Sequence, residues 1–436
     1  MKKLARSIAV ASMVTSPLAY SAGFQLNEHS ASGLGRAYAG EVAAADNAAV
    51  LARNPAAMAI FKKQQVSVTG HYIIPAVDVE GSDFVAANPP ATTKDANADN
   101  VAPNAFVPGA YYILPINDEW AFGVAANSYF GLSSDYPKSY SASEFAGHTS
   151  VETIYISPSV SYNFNDVFSL GLSVSYIYGK GEISNTASQN FSTATNGLAE
   201  VGQTLLDVNG SGSGFGWSIG GLWQIDESSR LGLSYRGATD LTVDADVDAF
   251  ARNVKNGKGK ITFNLPGIAE IGYFNQINDN WSVAAGVQWV QWSRFEDLTV
   301  DIESSEATGI LGEYTFKEEN WKDAWRYSVG ADYAFDEMVT IRAGYAYDES
   351  PVKPEYRTLT IPDAARNWVT LGMTLDFQET GSLDLGFAYL FGASKPRVEE
   401  ETTTVANGNE VTLTKFEGQL TSVSAYILSV GYNIKF

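Results

Sequence analysis

The feature that most constrains this chain is a hydrophobic period of two, held over stretches of about ten residues. Near the C-terminal end, Tyr426, Leu428, Val430, Tyr432, Ile434 and Phe436 share one face, with Ile427, Ser429, Gly431, Asn433 and Lys435 on the other. Ile154, Ile156, Pro158, Val160, Tyr162 and Phe164 alternate in the same way with Tyr155, Ser157, Ser159, Ser161 and Asn163. The pattern recurs from Phe168 to Tyr178, from Trp281 to Trp289 and from Leu383 to Phe391. Successive side chains of a strand point to opposite faces, so each stretch is a strand with one large apolar face and one small or polar face. About ten residues is what a tilted strand needs to cross the hydrocarbon core of a bilayer. Aromatics gather at the segment ends, where interfacial girdles belong.

Short polar turns separate many of these segments: Asn163 to Asp166, Gln224 to Arg230, the stretch around Asn275, and Phe335 to Met338. They alternate with long excursions, for example residues 179–214 and 292–324. That asymmetry predicts short periplasmic turns and long external loops. A soluble β-sandwich or propeller needs no such series of long alternating segments. The expected fold is therefore all-β, a transmembrane antiparallel β-barrel of about fourteen strands spanning residues 64–436. Closure follows from the solvent, because an open sheet edge in lipid leaves unpaired amides at several kcal/mol each.

Composition narrows function more than fold. The chain carries 9 Trp, 23 Tyr, 22 Phe and 39 Gly, yet no cysteine. Disulfides and thiolate catalysis are excluded. The three histidines, His29, His71 and His148, stand far apart, which makes a histidine-rich metal site or a histidine triad hard to build. An enzyme housed in the barrel would need a lumen-facing serine with histidine support, and no serine motif accompanies His71. No catalytic residue, cofactor or metal is expected.

The first twenty-one residues read as a secretory signal. Lys2, Lys3 and Arg6 precede an apolar run from Ile8 to Leu18, and Ala19 and Ser21 offer small residues before a cut at Ala22. Its loss leaves 25 basic residues against 49 acidic ones, a balance of −24 that repels nucleic acid.

Residues 22–63 lack the alternation. The stretch from Ala39 to Phe61 is alanine-rich and predicts short helices broken at Asn54-Pro55. About forty residues fold poorly alone, but they can fill a barrel lumen as a hatch. Gly33, Gly35 and Gly40 invite a phosphate-loop reading, but no strand precedes them and no βαβ unit follows. Their expected work is to turn the hatch tightly where a side chain would clash. Arg36 and Glu41 are candidates for ion pairs with the lumen wall.

The start from Ala22 to Met58, with its Asn54-Pro55-Ala56, closely resembles the N-terminal plug of the FadL family of outer-membrane transporters of long-chain fatty acids. The resemblance continues through Asp99 to Leu132, Gly212 to Asp226 and Phe316 to Trp368, and covers essentially the whole chain after the signal. It implies passive uptake through a plugged barrel in the outer membrane of a Gram-negative bacterium, with exit sideways into the membrane where a strand is kinked inward. The implied partners are long-chain fatty acids or similar hydrophobic ligands, outer-membrane lipid and lipopolysaccharide, with the barrel a monomer. Some members of the family import aromatic hydrocarbons, the alternative cargo.

The resemblance also implies a ligand site. Phe24 matches the hatch phenylalanine that touches the ligand tail, Ile183 an apolar wall residue, and Lys317 a lysine near the carboxylate. Val208 stands where relatives carry a leucine, and Asn185 where the best-known members place a carboxylate-binding arginine. Either Lys180 or another cation compensates for Asn185, or head-group binding is weaker. Tyr129 and Gly131 fall in the implied kink, with Gly131 permitting a bulge. Asp348, Arg357, Asp363 and Arg366 are read as shaping the extracellular mouth.

Overall fold

The computed structural model describes residues 23–86, 93–406 and 409–436. The signal assigned to residues 1–21 lies outside them, as does Ala22.

Fourteen antiparallel strands close into one ring among the described residues. The first, Gln65–Val85, closes it against the last, Asn409–Lys435, in a ladder from Gln65↔Lys435 to Val85↔Thr414. Its other edge pairs with Ala105–Pro115. Six wall strands are broken once along their length; one runs as Trp120–Asn127 and then Gly131–Asp135. The predicted short turns separate Gln224 from Ser229, Gln276 from Trp281 and Ala334 from Val339. The long excursions are largely more strand. Phe168–Thr186 and Thr204–Gln224 continue past the bilayer, and Asp297–Ser304 pairs with Gly312–Glu318 in an outer hairpin. A ladder once started costs little to extend, because each added pair satisfies its own backbone groups.

The alternation faces as chemistry demands. Leu172, Leu428 and Val430 point outward at 46%, 49% and 51% exposure, whereas Ser157, Ser159, Ser173 and Ser175 are buried toward the lumen. No helix among the described residues is long and apolar enough to cross a membrane; strands do the crossing.

Inside the ring sit four short helical segments: Ala31–Gly35, Glu41–Ala44, Ala48–Ala52 and Pro55–Ile60. Segments this short are marginal in water and leave most of their terminal amides without intrahelical partners. Three are capped by side chains: Ser30 Oγ accepts from Gly33 N, Asn47 Oδ1 from Ala49 N and Asn54 Oδ1 from Ala56 N. Pro55 occupies the first turn of the last segment, where a missing amide proton is harmless.

The expected tight turn at Gly33 and Gly35 is placed differently. Both lie in a helical turn, and the left-handed backbone falls on Ala37, Tyr38 and Gly40, with Gly40 at φ 60°. The wall is what comes close to Gly35, since a Cβ there would lie 2.8 Å from Gly372 Cα. The wall answers in kind: a Cβ on Gly344 would collide with the Arg36 backbone, and one on Gly171 with Pro55 and Ala56.

Candidate functional site

The broken strand between Asn127 and Gly131 sets the geometry. Ala105–Pro115 pairs with Trp120–Asn127 only from Ala110 onward, and Gly131–Asp135 pairs only with His148–Asn165. The ladder between Ala105–Gly109 and Gly131–Asp135 is therefore interrupted. Tyr129 and Phe130 are buried. The Tyr129 hydroxyl donates to Ala52 O of the hatch at 2.8 Å, and the Arg236 guanidinium lies 3.5 Å from the centre of its ring. Backbone groups that leave a wall need other partners. The N-terminal tail supplies them: Leu26 N donates to Tyr129 O and Gly131 N to Phe24 O, both at 2.8 Å. Sequence reasoning singled out Tyr129 and Gly131 but gave no hint that the tail is their strand partner.

Phe24, 2% exposed, is clasped by aromatic rings. Trp292 lies 4.6 Å from it between centroids, Phe295 5.3 Å, Trp321 5.8 Å and Phe130 6.0 Å. Most meet it edge to face, the arrangement aromatic quadrupoles favour. Sequence reasoning missed this cage. The run Trp289 to Phe295 is rich in aromatics, but nothing local says that it folds back onto residue 24.

Beside the cage lies a narrow apolar chamber, lined by Phe24, Leu132, Ile183, Val208, Val243, Phe263, Phe295, Leu298 and Phe316. A second, polar chamber of about 390 Å³ adjoins it and shares Thr149, Ile183 and Phe316. Asn185, Lys317, Glu144, Arg357 and Glu400 line the polar chamber. The structure thus brings Phe24, Ile183 and Val208 together in one compartment and Asn185 and Lys317 in the next.

The polar groups there already have partners. Asn185 Nδ2 donates to Glu144 O at 2.8 Å. Lys317 is ion-paired with Glu400, whose other oxygen accepts from Leu359 N at 2.6 Å. Lys180, a candidate to compensate for Asn185, pairs with Glu182 and lines neither chamber. Arg366 pairs with the buried Asp363, and burial raises the Asp363 carboxyl above the usual range against the pull of Arg366. Burial also raises the carboxyl of Glu144, and pushes Glu319, which accepts from Trp321 Nε1, up to about 8.

The hatch is held by charge as well as shape. Arg36, fully buried, meets Asp332 of the wall at 2.8 Å, together with Asp46 and Glu41 of the hatch. Arg53 pairs with Glu270 at 2.9 Å. Asn54 Nδ2 donates to Val42 O at 2.7 Å and to Gly221 O at 3.0 Å, tying the Asn54-Pro55-Ala56 turn to both hatch and wall.

His71 Nδ1 lies 2.6 Å from Ser429 Oγ, a pairing hidden by 358 residues of sequence. Both residues are buried, and Nε2 of the ring has no partner, so no carboxylate completes a triad. Among the described residues, no group of three or more His, Asp or Glu is arranged to hold a metal ion.

Comparison with known proteins closes the description. The family described as "Outer membrane protein transport protein (OMPP1/FadL/TodX)" matches residues 12–436. A long-chain fatty acid transport protein of Escherichia coli O6:H1 is 34% identical over 425 residues, covering 91% of this chain and 92% of that one. Outer membrane protein P1 of Haemophilus influenzae is also 34% identical, over the full length of both chains. Among solved structures, a FadL homologue of Pseudomonas aeruginosa superposes with a TM-score of 0.79 at 23% identity, covering 95% of this chain and 100% of its own. The toluene transporter TodX of Pseudomonas putida gives 0.66 at 18%, with the same coverage. At those identities the two structures speak for the fold alone.

Proposed function

This chain belongs to the OMPP1/FadL/TodX family of outer membrane transport proteins, and from that premise we propose that it takes up long-chain fatty acids by passive diffusion. Residues 1–21 direct export and are removed, residues 22–63 are the hatch, and residues 64–436 are the barrel. The observation that carries the reading is the junction of an apolar chamber with a polar one at Ile183 and Phe316. An acyl tail contributes about 0.8 kcal/mol per buried CH₂, while its carboxylate needs a cation or donor nearby. Phe24, Ile183 and Val208 take the tail; Lys317 and Asn185 face the head group. The ligand leaves through the break beside Tyr129 and Gly131, directly into membrane lipid.

The barrel closes on itself and works as a monomer, with its apolar girdle in outer-membrane lipid and its outer hairpins among lipopolysaccharide. It performs no catalysis. Uncharged aromatic hydrocarbons are the second cargo, favoured by the aromatic cage around Phe24. Labelled oleate and labelled toluene uptake, by cells with and without the protein, test the two. Oleate uptake that does not depend on the protein sinks the primary reading.

A further inference from the structure

Two cationic side chains line the polar chamber, Lys317 and Arg357, and their partners differ in kind. The Lys317 ammonium is held by Glu400, whose side chain is only 8% exposed. The second oxygen of that carboxylate accepts from Leu359 N. Arg357, 9% exposed, makes no ion pair among the described residues. Its guanidinium donates only to backbone carbonyls, to Arg397 O at 3.2 Å and Val352 O at 3.5 Å, and its buried Nε has no partner.

Glu400 therefore occupies the position of a ligand. One oxygen sits on an ammonium and the other on a backbone amide, with water largely excluded, next to the apolar chamber. A fatty acid carboxylate requires that same set of donors. We infer that Glu400 is a built-in competitor for the head group: it holds Lys317 and Leu359 N until an anionic ligand displaces it, with Arg357, whose guanidinium touches no carboxylate among the described residues, as the cation that receives that ligand. The inference rests on the fatty acid reading above and deepens it.

The exchange has a consequence for selectivity. Replacing one buried carboxylate with another adds no net buried charge, so the head group gains little by entering. The favourable balance must come from the tail, methylene by methylene. A short-chain acid then fails to displace Glu400, whereas a long-chain acid succeeds. Chain-length preference is set at the polar end of the site, by a residue that never touches the tail.

The test uses the purified full-length mature protein in detergent, with Glu400→Gln and Arg357→Gln, and with oleate, octanoate and oleyl alcohol as probes. Glu400→Gln should tighten oleate about tenfold and bring octanoate into measurable binding, leaving oleyl alcohol unchanged. Arg357→Gln should weaken oleate about tenfold or more, again without effect on the alcohol. Unchanged or weaker oleate binding in Glu400→Gln overturns the inference. So does loss of both oleate and oleyl alcohol, which would make Glu400 a staple between loops. Oleate binding unaffected by Arg357→Gln removes Arg357 from the site. A wild-type protein that binds oleyl alcohol but not oleate refutes the fatty acid reading itself, a failure distinct from the others.

Discussion

Gly131 N donates to Phe24 O at 2.8 Å, so the third residue after the assigned signal is a strand partner of the broken wall. The tail and the break in the wall are one hydrogen-bonded unit. A ligand that displaces the Phe24 ring also loosens the groups that line the break. Phe24→Ala keeps the backbone pairing but empties the aromatic cage, a local loss of about 3–5 kcal/mol for a large buried aromatic. Oleate uptake should fall, and single-channel conductance in planar bilayers should stay at the wild-type level, because Arg36 and Arg53 still hold the body of the hatch. Wild-type uptake by this variant would separate Phe24 from the pathway.

Gly344→Val should have the opposite signature. The new side chain meets the Arg36 backbone, which cannot give way without moving the hatch. Conductance to small ions is expected to rise while the barrel still runs as a folded, heat-modifiable band in gels. A conductance no higher than wild type would mean that the hatch shifts without opening.

Arg36→Met strands Asp46 and Glu41 without their guanidinium and leaves Asp332 with Arg342 alone, at 3.4 Å. Removing one partner of a buried ion pair costs about 3–5 kcal/mol, because the remaining charge is left unpaired. The hatch should become cleavable by added protease, and Asp332→Asn in the same chain should restore part of the protection. Equal cleavage in the single and double variants would argue against this pairing as the latch.

Lys317→Ala should weaken oleate binding by roughly 1.5–3 kcal/mol, the range for a charge-assisted hydrogen bond. Oleyl alcohol, which carries no charge, should bind as before. Isothermal titration in detergent reads both, and an equal loss for the two ligands would place Lys317 in a structural role.

The loop after Gly312–Glu318 should respond to pH through Glu319, whose carboxyl burial pushes up to about 8 from its usual value near 4.5. The folded state holds this proton where an unfolded loop releases it. Stability from the group is therefore complete below about 4.5 and lost as pH rises toward about 8 and beyond. Trp321 donates to the same carboxyl and packs at a tilt against Phe24, so the loss reaches the cage. Amide exchange of residues 319–323, corrected for intrinsic rate, should show less protection at pH 9 than at pH 6, and Glu319→Gln should flatten the difference. Protection that rises with pH would reverse the assigned direction.

The wall was legible in sequence because lipid and lumen impose opposite demands on alternate residues, and Leu428 and Ser429 carry the two answers side by side. The break at Ser128 to Phe130 was legible only through the family resemblance and not in the alternation, since an inward bend preserves the same residue types and depends on the tail for its hydrogen bonds. The site was legible only in part. Ile183 and Val208 lie on paired strands and face one another at matched register. The cage around Phe24 joins residues nearly three hundred positions apart, which no local pattern encodes. Sequence also set Lys317 among Glu313, Glu318 and Glu319, whereas the fold gives it Glu400 from a hairpin 83 residues away.

The glycines on the lumen wall carry one last implication, for assembly. Gly171, Gly220, Gly232, Gly344, Gly372 and Gly386 come from six different strands, and each leaves room for the hatch backbone or a hatch side chain. A slip of one residue in any of these strands would turn a lipid-facing side chain inward at that point. Gly171 would give way to Leu170 or Leu172, and Gly344 to Tyr345. Neither fits against the seated hatch. The hatch is thus a gauge as well as a stopper: a barrel closed out of register has no room for it, so mispaired strands are rejected from within.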